Sequence, residues 1–223
     1  MESSKIMQRN VQPEILDSLA HDDPQALANR RDLRLINALL RNPDWFARCV
    51  FPALSPKDRV MELGAGEGVI GMRLAREMGP DAVDYVAIDL APPPSSWPDR
   101  FSWRRVDCLS LPDFNNLDAL WGNMILHQFQ DDQLRALGEK IERSRLRLLS
   151  FVEPARYRLH LWQLCALGPL ICAVSRHDGA VSVRAGFRDH ELPALLGLGP
   201  DWRISIRHTF LGGYRMLAER PQA

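Results

Sequence analysis

Two carboxylates and four glycines crowd into VMELGAGEGVIG, Val60 to Gly71. Gly64, Gly66 and Gly68 spell G-x-G-x-G, while Gly66, Gly68 and Gly71 spell G-x-G-x-x-G, the dinucleotide fingerprint. Either register lets a strand turn sharply into a helix and lets the backbone approach a ligand with no Cβ in the way. An acid ending the next strand can grip two ribose hydroxyls in both cases, and Asp89 in VAIDL is so placed, 25 residues after Gly64. The carboxylates separate the registers. Glu62, ahead of the first glycine, is expected to point into the ligand crevice, and Glu67 lies inside the turn. Both suit a cation such as a sulfonium or an ammonium and oppose a pyrophosphate, which wants bare N–H groups. The G-x-G-x-G register is favoured, Gly71 is then a close-packing residue of the first helix, and Glu62→Lys is expected to abolish ligand binding with the fold intact.

The elements that must position these residues follow from the pattern of the chain. RVMEL reads as a strand and VIGMRLAREMG as a helix closed by Gly79. VDYVAIDL, FSWRRVD, LDALWGNMIL and LRLLSFVEP read as further strands, with DDQLRALGEKIERS a helix between the last two. Strands alternating with helices or long loops indicate right-handed crossovers and a largely parallel sheet. WRISIRHTF and YRMLAER, joined at LGG, read instead as an antiparallel hairpin. Ahead of all this, apolar positions from Asp22 to about Val50 recur at helical spacing after the start signal Asp23-Pro24, with a break near Asn42-Pro43. More than fifty residues precede the first strand, which a dinucleotide fold does not normally allow.

Composition narrows the partners. Lys+Arg and Asp+Glu balance at 28 each, so no basic nucleic-acid footprint is visible across the chain. MESSKIMQRN has no apolar run of a leader, and LWQLCALGPLICAV is too short to span a bilayer. That segment is expected to be a buried helix or an apolar wall over a pocket. Cys49, Cys108, Cys165 and Cys172 form no C-x-x-C pair and have no histidine at metal spacing, so no metal site is expected and a cytoplasmic setting with reduced, mostly buried thiols is.

Taken in order, the motifs resemble those of class I S-adenosylmethionine-dependent methyltransferases. VMELGAGEG is similar to the first motif, where Glu62, Gly64, Ala65, Gly66 and Gly68 would hold the cofactor. YVAIDLA is similar to the second, where Asp89, with Leu90 beside it, would bind the ribose. RRVDCLSL resembles the third, where Asp107 would meet the adenine amine and the Cys108 backbone the ring. LDALWGNMILHQF resembles the fourth, in the variant whose strand ends in Asn123 and continues as L-H-x-F. Many relatives carry an acid at that position, so Asn123 argues against a carboxylate base there. The resemblance covers roughly residues 59–154. It implies an α/β Rossmann-like methyltransferase fold: a mostly parallel seven-stranded sheet with a C-terminal antiparallel hairpin and helices on both faces. It also implies a domain over 57–223, an N-terminal helical extension or lid over 1–56, and a substrate-side insertion over 156–199.

The implied activity is methyl transfer from S-adenosyl-L-methionine to a small molecule by a monomer or homodimer with no membrane span. An NAD(P)-binding oxidoreductase using the second glycine register is the alternative. SRHDGAVSVRAGF, after EPARYRLHLW, also resembles a bacterial subgroup associated with type III polyketide synthases, which implies a phenolic or polyketide-like acceptor methylated on oxygen or carbon. A phenol must lose a proton, and His127, just past the fourth strand, is a candidate to take it; the other reading is a histidine that packs or caps locally. His177 and Asp178 are placed in a loop with Ser182 and Arg184 close behind; they would orient a phenol or carboxylate, form a His–Asp acid/base pair, or make a self-bonded polar loop with Arg184 paired to Asp178 or Glu153. Glu153, closing the fifth strand at the carboxyl edge, is either a substrate contact or a salt-bridge partner of Arg156 or Arg184. Trp162 and Trp45 face either an aromatic acceptor or the core, and Trp121 belongs to the core.

Overall fold

The computed structural model describes residues 7–20, 22–79 and 82–221; the first residues of MESSKIMQRN, on which part of the leader expectation rests, lie outside them. Asp23 accepts a hydrogen bond from the Gln25 amide at 2.7 Å and Pro24 takes the first helical position, so helix α1 (Pro24–Leu40) starts where the signal stands. Arg41, in the left-handed region, turns the chain into α2 (Asn42–Trp45), which widens into a π-helical turn over Phe46–Val50. Then follow β1 (Arg59–Leu63), α3 (Val69–Met78), β2 (Asp84–Asp89), β3 (Ser102–Arg105), β4 (Ala119–Asn123), α4 (Asp131–Glu142) and β5 (Leu148–Pro154). The chain closes with α5 (Arg158–Leu167), α6 (Ala173–Ala185), α7 (Glu191–Leu195), β6 (Arg203–His208) and β7 (Gly213–Glu219).

The strands form a seven-stranded sheet in the order β3-β2-β1-β4-β5-β7-β6. The pairs β1–β2, β1–β4, β2–β3 and β4–β5 are parallel, while β7 runs antiparallel to both β5 and β6. The expected parallel sheet closed by an antiparallel hairpin is therefore what the chain forms. Strand alternation splits the apolar residues between two faces. Met61, Leu63, Leu120, Leu149 and Phe151 pack with α4 and α7, whereas Val60, Tyr85, Ala87, Trp121 and Val152 pack with α3 and the turn after α2. The β6–β7 turn lies at the carboxyl edge of the parallel strands, because Gly213 pairs with Pro154 at the end of β5.

Three expectations need correction. His177, Asp178, Ser182 and Arg184, expected in a loop, stand on α6: Gly179 interrupts its pattern, and an added Cβ there would come within 3.1 Å of Leu164, so the glycine serves helix packing. The apolar segment from Leu161 to Val174 is not a buried helix but the other form expected, a wall over a cavity: it runs from α5 into the start of α6, with Gln163, Leu164 and Leu167 lining the cavity and Trp162, Cys165 and Leu170 exposed. Among the thiols Cys108 alone is buried, and Cys165 is exposed. Among the described residues, no helix is long and apolar enough to cross a membrane.

Candidate functional site

β1 and β2 are adjacent and parallel, which brings the glycine turn against the end of β2. There Asp89 accepts from the Gly66 amide at 2.7 Å through one oxygen and from the Ala91 amide at 2.8 Å through the other. Ala65 N–H is bound to the Ile88 carbonyl and Gly68 N–H to the Ala65 carbonyl. Gly66 has φ +57° and nothing within 4 Å of where a Cβ would be, so the turn opens onto free space there. Gly71 differs: a Cβ would strike Trp97 and Tyr85, which makes it the close-packing residue expected. Leu90 is 71% exposed beside Asp89. Asp107 follows β3 and takes the Leu109 amide at 2.9 Å, while burial and the charges of Asp107 and Asp89 push the Cys108 thiol up to about 11. The crevice over β1–β3 is negative, and three of its turn amides are already used within the protein. A pyrophosphate there would meet the Asp89 and Asp107 carboxylates and find the amides of Ala65, Gly66 and Gly68 already taken.

Glu62 does not supply that charge. Alternation places it on the same face as Val60, pointing into the core, where it is 1% exposed and accepts from the Tyr85 hydroxyl. Burial, with the negative Asp89 adding to it and the Tyr85 bond opposing, raises its carboxyl to about 8. At neutral pH it is a neutral acid beneath the crevice, not a carboxylate facing a cation. Glu67 does lie at the turn, ion-paired to Arg34 of α1 at 2.6 Å. That contact ties the N-terminal helix to the glycine turn.

Asn123 ends β4, and its amide is turned toward the N-terminal helices, accepting from Asn42 at 3.0 Å and donating to Asn37 at 3.3 Å. Met124, with φ +61°, leaves the strand and enters the wall of a cavity of about 230 Å³. The cavity lies beyond the carboxyl ends of β4 and β5, between α1, α5, α6 and the β6–β7 turn. From α6 come Ser175, Asp178, Gly179, Ser182 and Val183, whose spacing of three and four residues makes them one helical face. α1 contributes Leu33, Ile36 and Asn29, whose side-chain oxygen is buried without a partner.

Residues 7–20 strap across this end. Arg9 donates to the carbonyls of Ala185, His127 and Phe129 and pairs with Asp131 at 2.6 Å. Asp178 accepts the Ile15 and Leu16 amides at 2.8 and 3.0 Å, so it anchors the strap. Its partner His177 is 52% exposed and lies outside the cavity wall, which removes the expected acid/base pair from the cavity. Arg184 is exposed on α6 and Trp162 is 75% exposed on α5; neither lines the cavity. Trp121 is in the core as expected, and Trp45 is 5% exposed with one edge lining a second depression.

Glu153 is also reassigned. It is fully buried and accepts the amides of Ile125, Leu126 and His127 together with His127 Nδ1 at 2.8 Å, capping the turn after β4 instead of meeting a substrate, Arg156 or Arg184. Arg156 pairs with Glu191. His127 is 3% exposed, with Glu14 Oε1 3.5 Å from its Nε2. Burial lowers the imidazole pKa, but the two carboxylates outweigh it and bring it to about 9. A histidine already protonated at neutral pH does not accept an acceptor's proton. Besides Asp178, which is committed to the strap, the carboxylate that reaches the cavity is Glu14, held by His127 and the Ser182 hydroxyl. Sequence reading passed over Glu14 and His160, which also lines the cavity, because neither sits in a motif.

No protein-family model and no curated protein sequence matches the chain. Solved structures do. The plantazolicin methyltransferase BpumL in complex with SAH is 12% identical over 90% of this chain and 92% of its own, with a TM-score of 0.62. The pyocyanin biosynthetic protein PhzM is 17% identical over 93% of this chain and 62% of its own, TM-score 0.62. The citrinin polyketide synthase CMeT domain is 16% identical over 83% of this chain and 54% of its own, TM-score 0.56. The fold is that of the class I S-adenosylmethionine-dependent methyltransferases.

Proposed function

We propose that the protein is an S-adenosylmethionine-dependent methyltransferase whose acceptor is a small molecule held in the cavity beyond β4 and β5. The observation that carries this reading is the pairing of Asp89 with Gly66 over open space, in a sheet of this order, with a largely apolar cavity next to Asn123. Asp89 would hold the ribose hydroxyls, Leu90 and the Cys108 backbone would lie against the adenine, Asp107 would meet its amine, and the turn from Gly64 to Gly68 would take the amino-acid end. The donor set fits at the nucleoside end: Asp89 for hydroxyls, Asp107 for an amine, and a glycine turn with room above Gly66, while Glu67 is committed to Arg34. Bound there, the cofactor supplies an electrophilic methyl group on a cationic sulfur.

The protein's own contribution is alignment and exclusion of water. The strap over 7–20 and α1, with α5 and α6, wall the acceptor off, which gives the N-terminal region and the 156–199 segment the roles of lid and substrate-side insertion. A phenolic or polyketide-like acceptor suits walls built from Leu33, Ile36, Leu164 and Met124 with a few hydroxyl and amide groups. Glu14 and the Ser182 hydroxyl are the polar groups on the cavity wall placed to orient a phenol by hydrogen bonding.

Isothermal titration tests the reading. S-adenosylhomocysteine is expected to bind, and NAD is not. Asp89→Ala is expected to weaken the thioether about 10- to 100-fold, the loss of charge-assisted bonds worth roughly 1.5–3 kcal/mol, with the melting temperature little changed. Tight NAD binding without the thioether would restore the oxidoreductase reading.

A further inference from the structure

The second depression lies at the same edge of the sheet and has a different chemistry. Its volume is about 490 Å³, and its walls bring together Arg41, Arg48, Arg207 and Arg215 around Trp45. Arg207 and Arg215 stand directly opposite each other across β6–β7. Like charges so placed repel. Both guanidinium groups lie over the Trp45 ring, 5.8 and 5.4 Å from its centroid. Within the depression the counter-charge is Asp44, already shared between Arg41 at 2.9 Å and Arg73 at 3.7 Å. Two buried N–H donors on these walls, Trp45 Nε1 and Arg215 Nε, have no hydrogen-bond partner. Stacking on Trp45 and the Arg215 bonds to α1 offset part of that repulsion, and an anion joining the guanidinium groups would offset the rest.

Leu39, Leu40 and Leu211 line both this depression and the apolar cavity, so the two meet along a leucine seam. Leu39 and Leu211 are 46% and 49% exposed there, beside Phe210 at 76%. We infer that the acceptor is an amphipathic acid: its apolar body occupies the cavity beyond β4 and β5, and its carboxylate or phosphate end sits among Arg48, Arg207 and Arg215 over Trp45. This deepens the methyltransferase reading and rests on it for the word acceptor, but the two are testable apart. Arg215 donates to the Leu40 and Arg41 carbonyls and also holds α1, whereas Arg48 and Arg207 are exposed and can be changed without opening the core.

The test uses 6-phenylhexanoate, 6-phenylhexyl phosphate and the neutral 6-phenylhexanamide as probes, titrated into the whole chain with S-adenosylhomocysteine present. The two acids are expected to bind at least about tenfold tighter than the amide at low salt, and the carboxylate and phosphate arms show which acid is preferred. Arg48→Gln/Arg207→Gln is expected to abolish that gap while leaving S-adenosylhomocysteine affinity unchanged. Because Arg207→Gln also removes a like-charge pair, its melting temperature is expected to stay level or rise by roughly 1–3 °C, which a purely structural arginine would not do. Equal binding of acid and amide, or a preference that survives the double substitution, overturns the inference and leaves the methyltransferase reading standing. Acid binding lost with the arginines, in a chain that never binds the thioether, overturns the methyltransferase reading and leaves the anion groove standing.

Discussion

Glu62→Lys is expected to give a chain that does not fold, while Glu62→Gln folds and becomes the more stable form in mildly alkaline solution. The side chain is 1% exposed and faces Tyr85 in the core under the glycine turn. An ammonium there has no carboxylate of its own to replace the lost solvation. The penalty of several kcal/mol is a large part of a total stability of roughly 5–15 kcal/mol. Glutamine keeps the shape and can still accept from Tyr85. Its effect on pH dependence has a definite sign. The folded carboxyl titrates at about 8 against an ordinary 4.5, so between those values the unfolded chain gives up a proton that the folded chain keeps. Stability therefore falls as pH rises through that window, and Glu62→Gln removes this fall. Denaturant melts at about pH 5 and about pH 8 should show the variant near wild type at the first and above it at the second. A Glu62→Lys protein that melts like wild type and merely loses S-adenosylhomocysteine would return Glu62 to the crevice.

That correction shows where sequence reading succeeds and where it stops. The sheet was legible because each strand is a short apolar run bounded by turn signals, and because LGG announces the reversal into β7. The glycine turn and Asp89 were legible because spacing along adjacent parallel strands maps directly onto one edge. The direction of Glu62 was legible in principle: period-two alternation puts it with Val60, on the Tyr85 face, and the motif distracted from that simple count. α6 was hidden for another reason. Its inward face, Ser175, Asp178, Gly179, Ser182 and Val183, has helical period but is small and polar, since it lines a cavity and receives the strap. A search for apolar stripes passes over such a helix. The strap itself has no local signature, because its order comes from contacts such as Arg9 to Asp131 and Asp178 to Ile15, more than a hundred residues apart in sequence.

The same distance makes His127 the residue whose loss should loosen that end of the molecule most. It sits between Glu153, which caps the turn after β4, and Glu14 of the strap, so one imidazolium joins the sheet to the segment that covers the cavity. Removing it leaves Glu153 fully buried with a missing cation, a change that costs about 3–5 kcal/mol. His127→Ala is expected to lower stability by that amount and to expose the amides of residues 7–20 to rapid hydrogen exchange. Titration supplies a second, independent sign. The folded imidazole is raised to about 9 from an ordinary 6.5, so its contribution is complete below pH 6.5 and is lost as pH rises through 9. This window overlaps that of Glu62 between 6.5 and 8, and in the Glu62→Gln background the decline that remains is that of His127. Glu14→Gln should then lower the His127 value while the Glu153 bond persists, as followed by the imidazole resonances in NMR. A His127 that titrates near 6.5 in both proteins would leave the imidazole neutral at working pH and return it to the role of acceptor-side base.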